Sequence, residues 1–211
     1  MTRRQIPTRR YISSARTAAA DEKRECVIEA AGRLLREEGT IAAVSLDAVA
    51  KAAGVTRLTV YNQFGSRRGL LEAVFDERAR DGGLDRIPEA MAMPDPRAAL
   101  DRLTEIFCEF WGSDAALGRL HDATATDPEF AQAIAERSER RRHAIEVLVF
   151  RMTPQAGVRI SSQRDAIDLI FGLTSYAMYQ MLRAKRSPRA VSAIVKSACN
   201  AALEGLVKRA R

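Results

Sequence analysis

Ser45-Leu-Asp-Ala-Val-Ala-Lys-Ala-Ala-Gly54-Val-Thr56-Arg-Leu-Thr-Val-Tyr61-Asn-Gln-Phe64 is the stretch that decides the fold. Leu46, Val49, Ala50 and Ala53 repeat at helical spacing behind Ser45, a residue type that caps helix starts. Gly54 supplies the left-handed backbone that a sharp turn needs. Thr56 then caps a second short helix, with Val60 and Phe64 on one side. Two short helices joined by a tight glycine turn form a helix-turn-helix. Ala50 and Ala53 are small enough for a close crossing, and Val55 and Val60 fill the angle. The second helix is left with Arg57, Leu58, Thr59, Tyr61, Asn62 and Gln63 on its outside, a face too polar for core burial.

Helical periodicity continues in both directions. Upstream, Val27, Ile28, Ala31, Leu34 and Leu35 predict a helix from about Asp21 to Gly39, with the glycine as C-cap. Downstream, Ser66 opens a helix carrying Leu70, Leu71, Val74 and Phe75 and stopping at Gly82-Gly83. Pro88 and Pro94 make 84–95 loop-like or weakly helical. Asp95-Pro96 and Asp127-Pro128 each place Asp at the N-cap and Pro at the first helical position. They predict helices to Gly112 and to about Met152, with a shorter segment from Ser113 between them. After a break over Pro154–Gly157, the pattern predicts one long apolar helix over 162–185 and a last one from Ser187-Pro188. No segment alternates like a strand. The expected fold is all-α, with about nine helices.

Charge adds a partner class. The 211 residues carry a net charge of +7 and a pI of about 9.8, favouring a polyanion, nucleic acid before membrane surface. Arg3, Arg4, Arg9, Arg10 and Arg16 precede the first acidic residue, Asp21. This start lacks apolar periodicity and reads as a disordered basic arm over 1–20, able to reach a minor groove or to act as a solvated tail. An acid-free, Arg- and Ser-containing start is also the composition of a transit peptide, which ranks lower. No apolar run is long enough for a membrane span, so no membrane partner is expected. Cys26, Cys108 and Cys199, odd in number and far apart, read as small buried apolar residues in a reducing compartment.

The stretch Val55-Thr-Arg-Leu-Thr-Val-Tyr-Asn-Gln-Phe-Gly-Ser-Arg-Arg-Gly-Leu-Leu71 resembles the signature of TetR-family regulators over roughly Val27–Phe75. There, a Thr/Leu/Tyr-rich recognition helix ends in an aromatic residue followed by Pro-Ser-Lys or similar. Gly65, Leu58 and Gly69 depart from that pattern; Gly69 removes the acidic partner of a capping box with Ser66. The resemblance implies a cytoplasmic bacterial regulator with a helix-turn-helix domain over 21–82 and a ligand-binding and dimerisation domain over 83–211. Its partners would be a double-stranded operator, a small-molecule effector and a second copy of the chain.

Chemistry distributes the roles. Arg57 suits guanine, Asn62 or Gln63 adenine, and Leu58 a thymine methyl. Ser45, Thr56, Thr59 and Tyr61 suit phosphate oxygens. Arg67 and Arg68 oppose the helix dipole in the first turn of their helix, by about 0.3–1 kcal/mol each; a phosphate contact would explain the cost, and Arg67 matches the family's phosphate-binding lysine. The last two helices are apolar on more than one face and are expected to form a two-fold interface. Phe107, Phe110, Trp111, Leu117, His121, Phe130, Phe150, Tyr176 and Tyr179 are candidates for an effector pocket, alongside the plainer reading of core. His143, among Glu139 and Arg140–Arg142, is expected on a solvated face. Two separated histidines make neither metal site nor triad, and no phosphate loop follows a strand. No enzyme, cofactor or metal is expected. Open beside this reading are activation in place of repression, action without a ligand, and a helical adaptor or small enzyme with a retired helix-turn-helix.

Overall fold

A computed structural model describes residues 9–38, 41–152 and 160–208. The chain divides into two compact units, one up to Val74 and one from Phe75, where the sequence placed the boundary at 82/83. Among the described residues all regular structure is helical: eleven α-helices and two 3-10 turns.

In the first unit α1 runs Arg9–Glu38, then come a 3-10 turn at Ile41–Ala43, α2 Leu46–Ala53, α3 Arg57–Phe64 and the first part of α4, Arg67–Asp81. Val27, Ile28, Ala31 and Leu35 of α1 are buried with Val44, Val49, Val60, Leu70, Leu71 and Val74. That apolar stripe, one residue in three or four, holds the unit together. α1 begins at Arg9 and not at Asp21, so 9–20 is helix and corrects the expected disordered arm. Those residues lack an apolar face but break no helix rule, since Ala, Arg and Ser all tolerate helical backbone. Arg3 and Arg4, and Gly39 with its predicted cap, lie outside the described residues. Cys26 is exposed, against expectation: it precedes the first buried residue of α1, and its thiol points to the Ala53 carbonyl at 3.6 Å.

The second unit holds the end of α4, a 3-10 turn at Leu84–Arg86, α5 Ile87–Met91, α6 Pro96–Ser113, α7 Ala116–Ala123, α8 Pro128–Met152, α9 Ile160–Leu173, α10 Tyr176–Arg183 and α11 Pro188–Lys208. α6 packs on α8, α8 on α9, α9 on α11 and α11 back on α6, a closed circuit of four long helices. Leu100, Leu103, Ile106, Phe107 and Phe110 of α6, Ile145, Leu148 and Val149 of α8 and Ile167 and Ile170 of α9 are buried in its core. Both Asp-Pro starts cap as predicted: Arg97 N–H donates to Asp95 at 2.9 Å and Phe130 N–H to Asp127 at 2.9 Å. The break expected at Pro154–Gly157 falls outside the described residues.

The helix predicted over 162–185 is two helices, α9 and α10. Ser175 caps α10, accepting from Met178 N–H at 3.2 Å. The freed carbonyls at the end of α9 find donors from elsewhere. Arg141 Nη1 donates to Phe171 O at 2.9 Å, and Trp111 Nε1 donates to Thr174 O at 3.0 Å. A helix end stays inside a protein only when such partners exist.

Candidate nucleic-acid interface

The geometry of α2 and α3 follows from caps at all four ends. Ser45 Oγ accepts from Ala48 N–H at 3.1 Å. Gly54, at φ 66°, closes α2 by donating to Ala50 O and Lys51 O. Thr56 Oγ1 accepts from Thr59 N–H at 3.1 Å and sits 2.9 Å from Thr59 Oγ1. Gly65, at φ 71°, donates to Tyr61 O. A helix of eight residues is too short to persist alone; these caps and the burial of Val60 hold α3 in place.

What α3 leaves outside is a mixed apolar and polar face. Leu58 is 65% exposed and Tyr61 55%, while Arg57 and Asn62 are exposed with them. Large exposed apolar side chains cost nothing singly, but two on one turn of a short helix point to a contact surface. Arg57 makes an exposed ion pair with Asp47 at 3.3 Å. Ser45 and Thr56 are exposed and Thr59 half-buried, all three at helix N-termini, where N–H dipoles favour anions.

Two residues expected at the DNA surface are turned elsewhere. Gln63 points its amide at α1: Nε2 donates to Ala20 O at 3.3 Å, and Oε1 is sealed in without a partner. It therefore braces α3 and does not face outward with Asn62. The cause is the longer α1, whose added turns pass beside the end of α3. Arg67, expected on a phosphate, donates through Nε to Val44 O at 2.7 Å and through Nη2 to Ile41 O at 2.6 Å. These carbonyls around the 3-10 turn offset its unfavourable place at the start of α4 and fix the approach to α2. Arg68 pairs with Glu72 at 2.7 Å.

Arg24 plays a part that sequence reasoning missed. Its guanidinium lies 4.6 Å from the Phe64 ring centroid and donates to Gln63 O at 3.4 Å, clamping the C-terminal end of α3 to α1. No local spacing announces it, because its partners lie about forty positions away. Gly69 also gains a reason: a Cβ there would run into the Phe64 backbone carbonyl oxygen. The missing acidic residue is thus the condition for α3 and α4 to meet so closely.

In the second unit the structure joins four of the effector candidates in a chain of rings. Phe110 and Trp111 stand 4.5 Å apart, Trp111 and Tyr176 5.4 Å, and Tyr176 and His121 4.6 Å. Burial lowers the basicity of His121, although its edge is exposed. Phe107, Leu117, Phe130 and Tyr179 are buried, and Phe150 faces solvent. Two clefts of this unit, of about 720 Å³ beside α6 and α11 and about 360 Å³ beside α8 and α9, are lined by other residues. His143 is exposed as expected, 3.4 Å from Glu146. Cys108 and Cys199 are buried, and burial pushes their thiols up to about 11 and about 12, so neither is a ready nucleophile. No helix among the described residues is long and apolar enough to cross a membrane.

Residues 27–74 match the family model of bacterial regulatory proteins, tetR family. Over 134 residues the chain is 36% identical to the HTH-type transcriptional regulator EthR of Mycolicibacterium smegmatis, covering 62% of this chain and 60% of that protein. The match therefore spans about three fifths of that relative's length. The fold is similar to that of the transcriptional regulator FadR from Bacillus subtilis, solved in complex with stearoyl-CoA, with a TM-score of 0.68 at 19% identity over 83% of this chain and 96% of that one. It is also similar to a TetR-family transcriptional regulator from Bordetella parapertussis, with a TM-score of 0.61 at 16% identity over 83% and 93% of the two chains. At these identities the likeness is one of fold. Residues 27–74 thus carry the helix-turn-helix segment of the tetR family of bacterial regulatory proteins, and the all-helical remainder is similar in fold to the solved regulators.

Proposed function

We propose that the protein is a DNA-binding transcriptional repressor, acting in the cytoplasm as a dimer on a palindromic operator and released by a small apolar or amphipathic ligand. The observation that carries this reading is the outer face of α3. A capped eight-residue helix presents Leu58 and Tyr61 largely exposed beside Arg57 and Asn62, a poor surface for burial and a good one for a major groove. In this reading Arg57 and Asn62 address base edges and Leu58 a thymine methyl. Ser45, Thr56, Thr59 and Tyr61 hold phosphates. Gln63, Arg67 and Arg24 position the helix. The basic charge supplies sequence-independent attraction.

Exposed Leu169, Met181 and Ile194 on α9, α10 and α11 support a two-fold contact through the last helices, which would set two α3 helices about one DNA turn apart. Ligand release is supported by the FadR structure, which holds a molecule with a long acyl chain in the same fold, and by the ring chain from Phe110 to His121. A ligand shifts the protein off DNA only by its differential affinity for the two states.

Selection of bound sequences from a random DNA pool tests the reading. The expected outcome is enrichment of an inverted repeat with half-sites about one helical turn apart. Weak, salt-sensitive retention with no enriched sequence, repeated on refolded and ligand-stripped protein, contradicts it.

A further inference from the structure

The second unit buries one arginine with no acid beside it. Arg141 of α8 is only 8% exposed. The other deeply placed arginines of this unit have carboxylates: Arg137 is 2.7 Å from Asp76, and Arg78 is 3.4 Å from Asp81 and 3.5 Å from Asp114. Arg141 has none among the described residues. Glu139, two positions earlier, turns to Arg142 at 3.6 Å. The segments outside the described residues, 1–8, 39–40, 153–159 and 209–211, contain neither Asp nor Glu.

The guanidinium is half committed. Both of its hydrogen bonds leave from Nη1, to Phe171 O at 2.9 Å and to Thr174 Oγ1 at 2.9 Å. They sit at the C-terminal end of α9, where the negative end of the helix dipole offsets part of the charge. Its Cζ lies 4.1 Å from the Phe171 ring centroid, a ring that the Arg142 guanidinium also approaches at 4.2 Å, with the Phe107 ring at 5.7 Å. Nε and Nη2 donate to nothing among the described residues. Neither is among the sealed polar atoms that lack a partner, so water reaches them. Burial, and then the neighbouring Arg142 charge, push the group down to about 10, with the Glu139 charge offsetting only part of this, as for a buried cation short of counter-charge.

An open Nε–Nη2 edge is the edge that takes a carboxylate through two parallel bonds. The two rings favour an apolar body joined to that head. A phosphate dianion fits less well, because the adjacent cation, Arg142, already pairs with Asp168 and Glu139. We infer that Arg141 anchors the carboxylate of an amphipathic acid, and that this acid is the effector of the ligand-released regulator proposed above, on which the inference rests. The site has its own reporter. Thr174, whose hydroxyl accepts from Arg141, accepts from Trp111 Nε1 through its carbonyl at 3.0 Å, and Trp111 is the chain's one tryptophan.

The test titrates full-length protein with hexanoate, decanoate, hexadecanoate and phenylbutyrate, each against its methyl ester, and follows Trp111 emission and heat of binding. The expected result is a saturable shift with at least one acid, bound roughly ten- to a hundredfold tighter than its ester, the ratio that one charge-assisted hydrogen-bonded pair gives. Arg141→Met should erase the acid preference, and Arg141→Lys should keep part of it. Equal binding of acid and ester, or no saturable binding of any acid, overturns the inference. The comparison on unaltered protein stands even if a variant fails to fold. If Arg141→Met dissociates a dimer while the acid preference stays, the missing carboxylate belongs to a second copy, and the inference is also overturned. Release from the selected DNA is scored separately. Esters that release as well as acids overturn the role of Arg141 and leave ligand release standing. Acids that bind at Arg141 without releasing DNA overturn its effector role and count against ligand release.

Discussion

Arg24 and Arg67 in the unit up to Val74 and Arg141 in the unit from Phe75 differ in how fully their donors are used. In the first, Arg24 and Arg67 fasten backbone carbonyls at Gln63, Val44 and Ile41, and the result is a rigid mounting for one short helix. In the second, Arg78 and Arg137 meet aspartates, while Arg141 is left with an open edge against two rings. A cation that closes on the backbone sets a shape. A buried cation without an acid leaves a charge for something else to neutralise. Arg24 and Arg67 thus fix the mounting of α3, while the open edge of Arg141 is the place where the inferred acid would act.

The largest expected effect breaks the second unit alone. Phe110→Ala removes a fully buried ring at the inner end of the ring chain and should cost about 3–5 kcal/mol in denaturant unfolding. A cost under about 1 kcal/mol would mean that the helices from α6 onward do not share one core.

Gly69→Ala probes the first unit. The clash with the Phe64 carbonyl should cost about 1–3 kcal/mol and weaken DNA binding in step, since the end of α3 must move. Unchanged stability would show that α3 and α4 do not approach as closely as described. Thr56→Ala should cost about 1 kcal/mol through the lost cap. If Thr56 also holds a phosphate, DNA affinity should fall by more than stability does, and Thr56→Ser should restore both. Equal loss in the two assays limits Thr56 to capping.

The smallest effect is a pH signature in the second unit. The hydrogen bond from Lys196, 2.6 Å away, chiefly holds the Glu105 carboxyl below its ordinary value of 4.5. A lowered folded value stabilises the fold above the unfolded value, and that stability is lost as pH falls through the lowered one. Both side chains are partly exposed, so Lys196→Met should cost below about 1 kcal/mol at neutral pH. The difference between variant and parent should vanish in acid. A difference that grows in acid contradicts the pairing.

The same contrast governs what the sequence made legible. Ser45, Gly54, Thr56, Asp95-Pro96 and Asp127-Pro128 announce helix ends because each acts on backbone groups within four residues of itself. They place α2, α3, α6 and α8 correctly. The break between α9 and α10 was hidden for the opposite reason. An unbroken apolar run reads as one helix, and the donors that stabilise the break, Arg141 and Trp111, lie 30 and 63 positions away. In the candidate interface, periodicity identified the outward residues of α3, but not which neighbour would take Gln63 inward or Arg67 across to the turn. Those contacts depend on α1 running past its apolar stripe to Arg9 and on how the 3-10 turn folds, and no residue spacing encodes either.

The most direct test of the central claim measures the affinity of Leu58→Ala and Tyr61→Ala for the selected inverted repeat and for unrelated DNA, across a salt series. Both side chains are exposed, so unfolding midpoints should stay within about 0.5 kcal/mol of the parent. The account predicts that Tyr61→Ala weakens binding to every sequence alike and leaves its salt dependence as in the parent, because a neutral hydroxyl displaces no counterion. It predicts that Leu58→Ala lowers affinity for the repeat by about 1–3 kcal/mol and narrows its margin over unrelated DNA. Parental affinity and selectivity in both variants would contradict it, for then the exposed face of α3 is not the surface that reads DNA.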